Sequence, residues 1–516
     1  MNAQKLLSGL SVWFIIALML AACSGGANEP MNNTEQPANA MQSDEGNTEA
    51  GDPIKIEVIK RATQKMPDQD FVKAAIDSKL NTDLVISQEP DDNELSNKLN
   101  VRAASSTLPE IMEFSTKNQF QQFADKGLLL DLTPYLEELE EVRSFLGEDA
   151  VKKGTYNGHV YAIAKEPSLA RFSYWIRKDW LDTLGLPIPE TVEELLETAI
   201  AFTEQDPDRN GRKDTFGITG ASHQVFAPIF GAYGIATPEG GEAPFYVQEG
   251  ELINALYDPA MADALEMIKS FIAAGVVDPE FASNKQPQAN DKAFMGQAGI
   301  LYHQWVVMRD NEVNQWKTAN PEAEWVRIMT LAGPAGSQMG YVDRGATSGY
   351  VALPKSLERS PDKLRKVLEL LNYVSSEEGL DLVSYGLLDE HYTIESGKPK
   401  VMMEKNAEVQ FTWVYQIMGR PELEYLTTKF PEQASYIEDG NKLDYIETYN
   451  GLLQNPTGYN PADANRFIQE ELLKFFYDKA PLSQYASFLE TLENVFHYDT
   501  FLESSRQQFD ELDLQQ

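Results

Sequence analysis

Cysteine is almost absent from this chain: Cys23 is the single one in 516 residues. One thiol permits no intramolecular disulfide, so stability has to come from the size of the core. Positive charge is also short, with 43 Lys and Arg against 80 Asp and Glu and a formal net charge of −37. That balance argues against nucleic acid as a partner and against docking on anionic lipid. It disfavours polyanions through long-range steering, although a local basic cleft can still hold one carboxylate. Histidine is scarce: His159, His223, His303, His391 and His497 show no metal-ligand spacing. There is no Gly-x-Ser-x-Gly motif, and carboxylates are so abundant that a glycosidase pair could be drawn anywhere. No repeat of about 20 to 50 residues is present.

The first residues read as a processing signal. A short, weakly basic start precedes an apolar run from Leu6 to Leu20, too short for a comfortable transmembrane helix and ending in small residues. Leu20-Ala21-Ala22-Cys23 resembles the bacterial lipobox, which implies cleavage before Cys23 and lipid on its thiol. Two acyl chains on one residue suffice for stable anchoring. Residues 24–52 are rich in Asn, Glu, Gly, Ala, Ser and Pro, cannot bury enough apolar surface to fold, and read as a disordered tether. The remaining body is long enough to divide into more than one core.

That body opens on alternating apolar and polar residues. Ile54 to Ile59 reads as a strand, Asp70 to Leu80 as a helix, Thr82 to Ile86 as a strand, Leu95 to Ala104 as a helix and Leu108 to Phe114 as a third strand. Strands alternating with helices predict a mostly parallel sheet, whose ligands bind beyond the carboxyl ends of the strands. The loops Arg61 to Gln64, Gln88 to Asp92 and Ser115 to Asn118 stand at those ends. Asn157-Gly158 between two β-prone pieces predicts a hairpin. Asp258-Pro259 predicts the cap and first residue of a helix ending at Gly275, Ser360-Pro361 opens another, and Asn460-Pro461 opens one ending near Tyr477. Phe294 to Trp305 reads as a helix end, a glycine turn and a buried strand that emerges in polar and aromatic groups.

The densest stretch is Arg171 to Gly217. It joins an aromatic cluster, a helix opened by the capping box Thr191-Val-Glu-Glu194, and an acidic loop. The loop carries Asp206, Asp208, Asn210 and Asp214 around Gly211, with the Arg212 carbonyl at the seventh position. This is the spacing of an EF-hand-type calcium loop. Gly217 stands where the bidentate glutamate would be, which leaves either a calcium loop without the second EF-hand helix or an Asp-rich turn.

Several stretches in common order resemble the extracellular solute-binding proteins of carbohydrate ABC importers, in particular the large lipoproteins that include alginate- and pectin-oligosaccharide binders. They are Leu108 to Met112, Gly127 to Leu132, Trp175 to Gly185, Asp206 to Gly217, Phe294 to Trp305, Leu353 to Ser356 and Leu472 to Val495. The resemblance implies an α/β, periplasmic-binding-protein-like fold of two discontinuous lobes joined by a hinge. Residues 1–22 are then the signal peptide and 23–52 the anchored tether. Residues 53–167 and 340–395 form the N-terminal lobe, and 168–339 and 396–516 the C-terminal lobe. Crossings are expected near 166–171, 331–344 and 385–400. The resemblance also implies a structural calcium held by Asp206, Asp208, Asn210, Asp214 and the Arg212 carbonyl. A carboxylate that follows the last aspartate in alginate binders is here Thr215. The family's Gly-Xaa-Glu-Gly before His-Tyr is here Gly386-Leu-Leu-Asp389-Glu390-His391-Tyr392.

A sugar offers apolar C–H faces and a rim of hydroxyls, so a sugar pocket needs aromatic rings and paired polar groups. Tyr174, Trp175, His303, Gln304 and Trp305 are the leading candidates, with Trp413, Tyr385 and Arg171 behind them; Trp180 and Phe172 read as core. The function expected is capture of an oligosaccharide by a monomeric, lipid-anchored binding protein outside the cell, which closes on its ligand and presents it to a membrane permease. The competing readings are a surface polysaccharide lyase or glycosidase, and the same fold carrying a peptide or a metal chelate.

Overall fold

The computed structural model describes residues 51–512 except 170 and 240. The signal segment, Cys23 and nearly all of the tether lie outside the described residues. Among the described residues no helix is long and apolar enough to cross a membrane.

The chain begins with strand β1 (Ile54–Arg61), helix α1 (Phe71–Leu80), strand β2 (Thr82–Glu89), helix α2 (Asp92–Ala104) and strand β3 (Ile111–Phe114). Local chemistry sets the ends of these elements. Asp70 caps α1 by accepting the Lys73 N–H, and left-handed Asn81 closes it. Asp91 accepts the N–H groups of Asn93 and Glu94, so α2 starts three residues before the predicted Leu95. The predicted third strand keeps only its second half. The chain passes through the Asn157-Gly158 turn, both residues at positive φ, to β4 (Ile163–Ala164). It then builds β5 (Ser173–Arg177), α3 (Val192–Glu204), β6 (Phe216–Thr219), β7 (Ala298–His303) and β8 (Trp325–Arg327), and returns with β9 (Tyr350–Ala352). The Thr191 capping box opens α3 as predicted, and Asn460 caps the helix Pro461–Phe476. The helix after Asp258 starts at Met261 instead, because Asp258 uses its carboxylate on the Ala260 N–H and the Tyr246 hydroxyl.

These strands form two sheets, and a further four-stranded sheet joins Glu251–Asn254, Phe245–Gln248, Ile446–Thr448 and Tyr341–Asp343. The first has order β2-β1-β3-β9-β4, with β1 parallel to β2 and β3, and β9 antiparallel to β3 and β4. The second has order β8-β5-β7-β6, with β6 and β7 parallel and β5 antiparallel to both neighbours. Each sheet anchors its own hydrophobic core. Ile56, Val58, Ile111, Phe120, Ile163, Leu353 and Val367 belong to the first. Trp180, Phe202, Ile218, Phe230, Ile268, Ile300 and Leu472 belong to the second, which the three C-terminal helices complete. Burying so many apolar side chains in each core is what holds a thiol-free body together.

Core membership changes three times along the chain. It passes from the first core to the second between Ala164 and Tyr174, and back between Met339 and Tyr350. Phe411, Tyr415, Ile417 and Met418, predicted for the second lobe, are buried in the first core, so the last change falls after Met418.

Candidate ligand-binding site

The crossing segments lie against one another. The Lys165 N–H donates to the Gly349 carbonyl at 2.8 Å, the Thr347 hydroxyl to the Lys165 carbonyl at 2.7 Å and the Ser348 hydroxyl to the Glu166 carbonyl at 2.6 Å. The third crossing touches the same place. Gly419 has φ of 98°, and a Cβ there would stand 3.1 Å from the Glu166 backbone nitrogen, so only glycine lets these segments approach so closely.

Beside this junction is an open hollow of about 410 Å³. Gln64 borders it from the loop after β1, Gln304, Trp305 and Arg309 from the end of β7, and Trp413 from the segment before the last crossing. Helix Glu422–Lys429 supplies Glu422, Tyr425, Leu426 and Lys429, whose spacing places them on one face. A smaller hollow of about 290 Å³ continues it, sharing Ser168, Trp413, Arg420 and Glu422 and adding Lys60, Lys165 and Glu166.

The rings and polar groups are fixed from behind. The Trp413 indole N–H donates to Gln64 Oε1 at 3.2 Å, and the Gln64 backbone is tied at both its N–H and its carbonyl to the Gln88 amide. Trp305 is wedged against Phe430 at 5.1 Å between centroids. Lys60 donates to the Val414 carbonyl at 3.1 Å; burial, with Lys165 nearby, pulls its pKa down to about 7. Lys165 is neutralised by Glu113 at 2.7 Å. Arg420 engages both Glu422 oxygens and lies 3.8 Å from the Tyr425 ring centre. Lys429 is 3% exposed and its Nζ has no hydrogen-bond partner; burial, then Arg420, lowers its pKa to about 8.

Of the predicted site residues, Gln304, Trp305 and Trp413 meet here. Tyr174 and Trp175 do not. β5 is covered on both faces, so Trp175 is fully buried, with its Nε1 donating to the His303 carbonyl at 3.0 Å and Arg327 stacked 4.7 Å from its ring centre. The Tyr174 hydroxyl is spent on the Val225 carbonyl. His303 lies behind the hollow, its Nδ1 accepting the Gln304 N–H at 2.7 Å and its Nε2 3.1 Å from the Asn290 amide. Burial lowers its pKa to about 4. Tyr385 packs with Trp305 and Tyr425 in a small cluster and borders a different, acidic hollow. Arg171 stacks 5.2 Å from the Tyr445 ring centre, away from the hollow. The sequence flagged the Gln64 loop but missed Arg309, Arg420 and Lys429, which carry no local motif.

A larger hollow of about 1090 Å³ lies across the crossings, lined by Tyr156, Tyr341, Tyr350, Glu239, Glu242 and Asp343 among others. Its acids are already engaged. Asp343 accepts the N–H groups of Gly345 and Gly451, and Glu239 accepts the Tyr341 hydroxyl. It has no tryptophan face, so the hollow of Trp305 and Trp413 is the stronger candidate.

The acidic loop sits apart, between α3 and β6. Asp206 accepts the N–H groups of Asn210 and Gly211, each at 3.1 Å, and the Asn210 amide reaches Asp208 at 2.8 Å and Asp214 at 3.0 Å. Burial holds the Asp208 carboxyl above its usual range, with Asp206 and Asp214 adding to the effect. Crowded oxygens of this kind fit a hard cation. The set is nevertheless short of carboxylates. A side chain at Gly217 would meet Ala199 at 2.5 Å, which leaves no room for a glutamate, and Thr215 turns inward to the Phe202 carbonyl. Among the described residues no three His, Cys, Asp or Glu side chains close into a metal centre.

Residues 70–380 match the profile of the bacterial extracellular solute-binding proteins. The polygalacturonan/rhamnogalacturonan-binding protein YtcQ of Bacillus subtilis is 26% identical over 406 residues, 77% of this chain and 77% of its own. Lipoprotein LipO of the same organism is 26% identical over 446 residues, 82% of this chain and 80% of its own. The structure of the alginate-binding protein AlgQ2 without calcium ion aligns with a TM-score of 0.65 at 16% identity, covering 89% of this chain and 99% of that one.

Proposed function

The chain belongs to the bacterial extracellular solute-binding proteins, and from that premise we propose that it captures an oligosaccharide for an ABC transporter. The fold, periplasmic-binding-protein-like, is the one its sequence resembles. The observation that carries the proposal is the hollow beside the three crossings, where Trp305 and Trp413 stand among Gln64, Gln304 and Glu422. Indole faces suit sugar C–H surfaces, and the amides and carboxylate suit hydroxyls. YtcQ and AlgQ2 are named for the polysaccharides they bind, which supports carbohydrate over peptide or chelate.

Gln64 follows β1 of the first sheet, and Gln304 and Trp305 follow β7 of the second, so sugar held between them draws the two lobes together about the crossings, and the closed form is what the permease recognises. The ligand does the work through its differential affinity for the closed state. The protein acts as a monomer, anchored through Cys23 on the outer face of the cell membrane; the relation to LipO supports the anchor. Calcium, where bound, is held by Asp206, Asp208, Asn210, Asp214 and the Arg212 carbonyl, and it ties the end of α3 to β6 without touching sugar. Titration calorimetry against a panel of plant and algal oligosaccharides tests the function. Saturable binding of one class without chain cleavage is expected; turnover of a bound sugar overturns the proposal in favour of a lyase or glycosidase.

A further inference from the structure

Lys429 and Arg309 border the same hollow and neither has an acidic partner. Lys429 stands at the last residue of its helix with its ammonium unpaired. An ammonium has three donors, and leaving all of them unmet inside a protein is unfavourable unless something supplies acceptors part of the time. Arg309 is half-buried, its guanidinium 4.9 Å from the Phe430 ring centre and 5.8 Å from that of Trp305. Among the described residues no Asp or Glu lies within ion-pair distance of either cation. Among the described residues the one carboxylate bordering the hollow, Glu422, is held by both edges of Arg420.

We propose that Lys429 and Arg309 form an acid-reading subsite, in which a uronic acid carboxylate of the bound oligosaccharide is held beside the Trp305 and Trp413 rings. This rests on the sugar-binding reading above and names the class of sugar. A carboxylate has up to four lone-pair positions, enough for the Lys429 ammonium and one edge of the Arg309 guanidinium together. The acidic exterior repels a polyuronate at long range, but salt screens that repulsion within roughly 8 Å at physiological ionic strength. The subsite therefore sets selectivity within the hollow, and the outer charge slows the approach.

The test compares oligogalacturonate and oligoguluronate with their methyl esters, which keep shape and hydroxyls and remove the charge, and with neutral oligosaccharides of the same length. Calorimetry is run on the full-length wild type, Lys429→Met, Arg309→Gln and Trp413→Ala, each checked for folding by circular dichroism. At least one free acid is expected to bind about ten- to a hundredfold tighter than its ester, the range of a charge-assisted hydrogen bond. Lys429→Met and Arg309→Gln should each erase most of that preference by lowering free-acid affinity more than ester affinity, whereas Trp413→Ala weakens acid and ester by a similar factor. Equal or tighter binding of the esters, or a preference that survives both cation variants, overturns the subsite. Binding of neutral sugars alone overturns the subsite and leaves the carbohydrate reading standing. Failure of every sugar overturns both.

Discussion

Replacing Lys429 with methionine should make the sugar-free protein more stable. Methionine keeps most of the apolar stem and removes an ammonium that is 3% exposed and has no partner. In the folded state burial lowers the pKa from 10.5 to about 8. At about 1.36 kcal/mol per unit, the charge weakens the fold by up to ~3 kcal/mol at neutral pH. The sign follows from the depressed folded value. The penalty is fully present below about pH 8, where folded and unfolded chains are both protonated, and fades as pH rises from about 8 to about 10.5. The roughly 460 described residues correspond to an unfolding entropy near 1 kcal/mol/K, so the gain amounts to about 3 °C in Tm. Differential scanning calorimetry at pH 7, with the exposed Lys398→Met as a control expected to shift stability by no more than about 0.5 kcal/mol, measures it. The difference should shrink by pH 10.5. An unchanged or lower Tm for Lys429→Met at pH 7 refutes the idea that the fold tolerates this charge for the ligand's sake.

Other outcomes follow from the same geometry. Trp413→Ala should weaken sugar binding by about 1–3 kcal/mol through loss of a stacking face, with little change in Tm because the ring is only half-buried; calorimetry and melting read both. His303, buried and neutral with its pKa lowered to about 4, contributes stability that is complete above about pH 6.5 and is lost as pH falls toward 4. A urea series at pH 7 and pH 4.5 should therefore show a smaller loss for His303→Gln than for wild type, and an equal loss removes this histidine from the acid response. Calcium at about 1,000 times its Kd should add about 4 kcal/mol of stability, reversed by chelator and absent in Asp208→Ala. Calcium-independent melting of the wild type means that the loop is only a turn. Small-angle scattering should show compaction at saturating sugar, and an unchanged profile argues against hinge closure.

The sequence was clearest where one local rule sufficed. Period-two alternation marks β1, and Asp70, Thr191 and Asn460 sit at helix starts because their side chains satisfy otherwise unmet N–H groups. The last crossing was placed too early because the short turns around Thr412–Tyr415 have no clear period, and only tertiary packing assigns Phe411 and Tyr415 to the first core. Within the site, Gln304 and Trp305 were legible as a strand emerging from the core. Trp175 was not separable from them, because an aromatic run reads the same whether a strand is covered on one face or on two. Arg309 lies more than a hundred residues before Arg420 and Lys429, and that it borders the same hollow shows only in three dimensions.

The most direct test is a crystal structure with a bound oligosaccharide from the class that titration identifies. Sugar rings are expected against Trp305 and Trp413, hydroxyls on Gln64, Gln304 or Glu422, and the two lobes closed about Glu166, Ser348 and Gly419. Sugar seated instead in the larger hollow of Tyr341 and Tyr350, with Trp413 untouched, would contradict that placement.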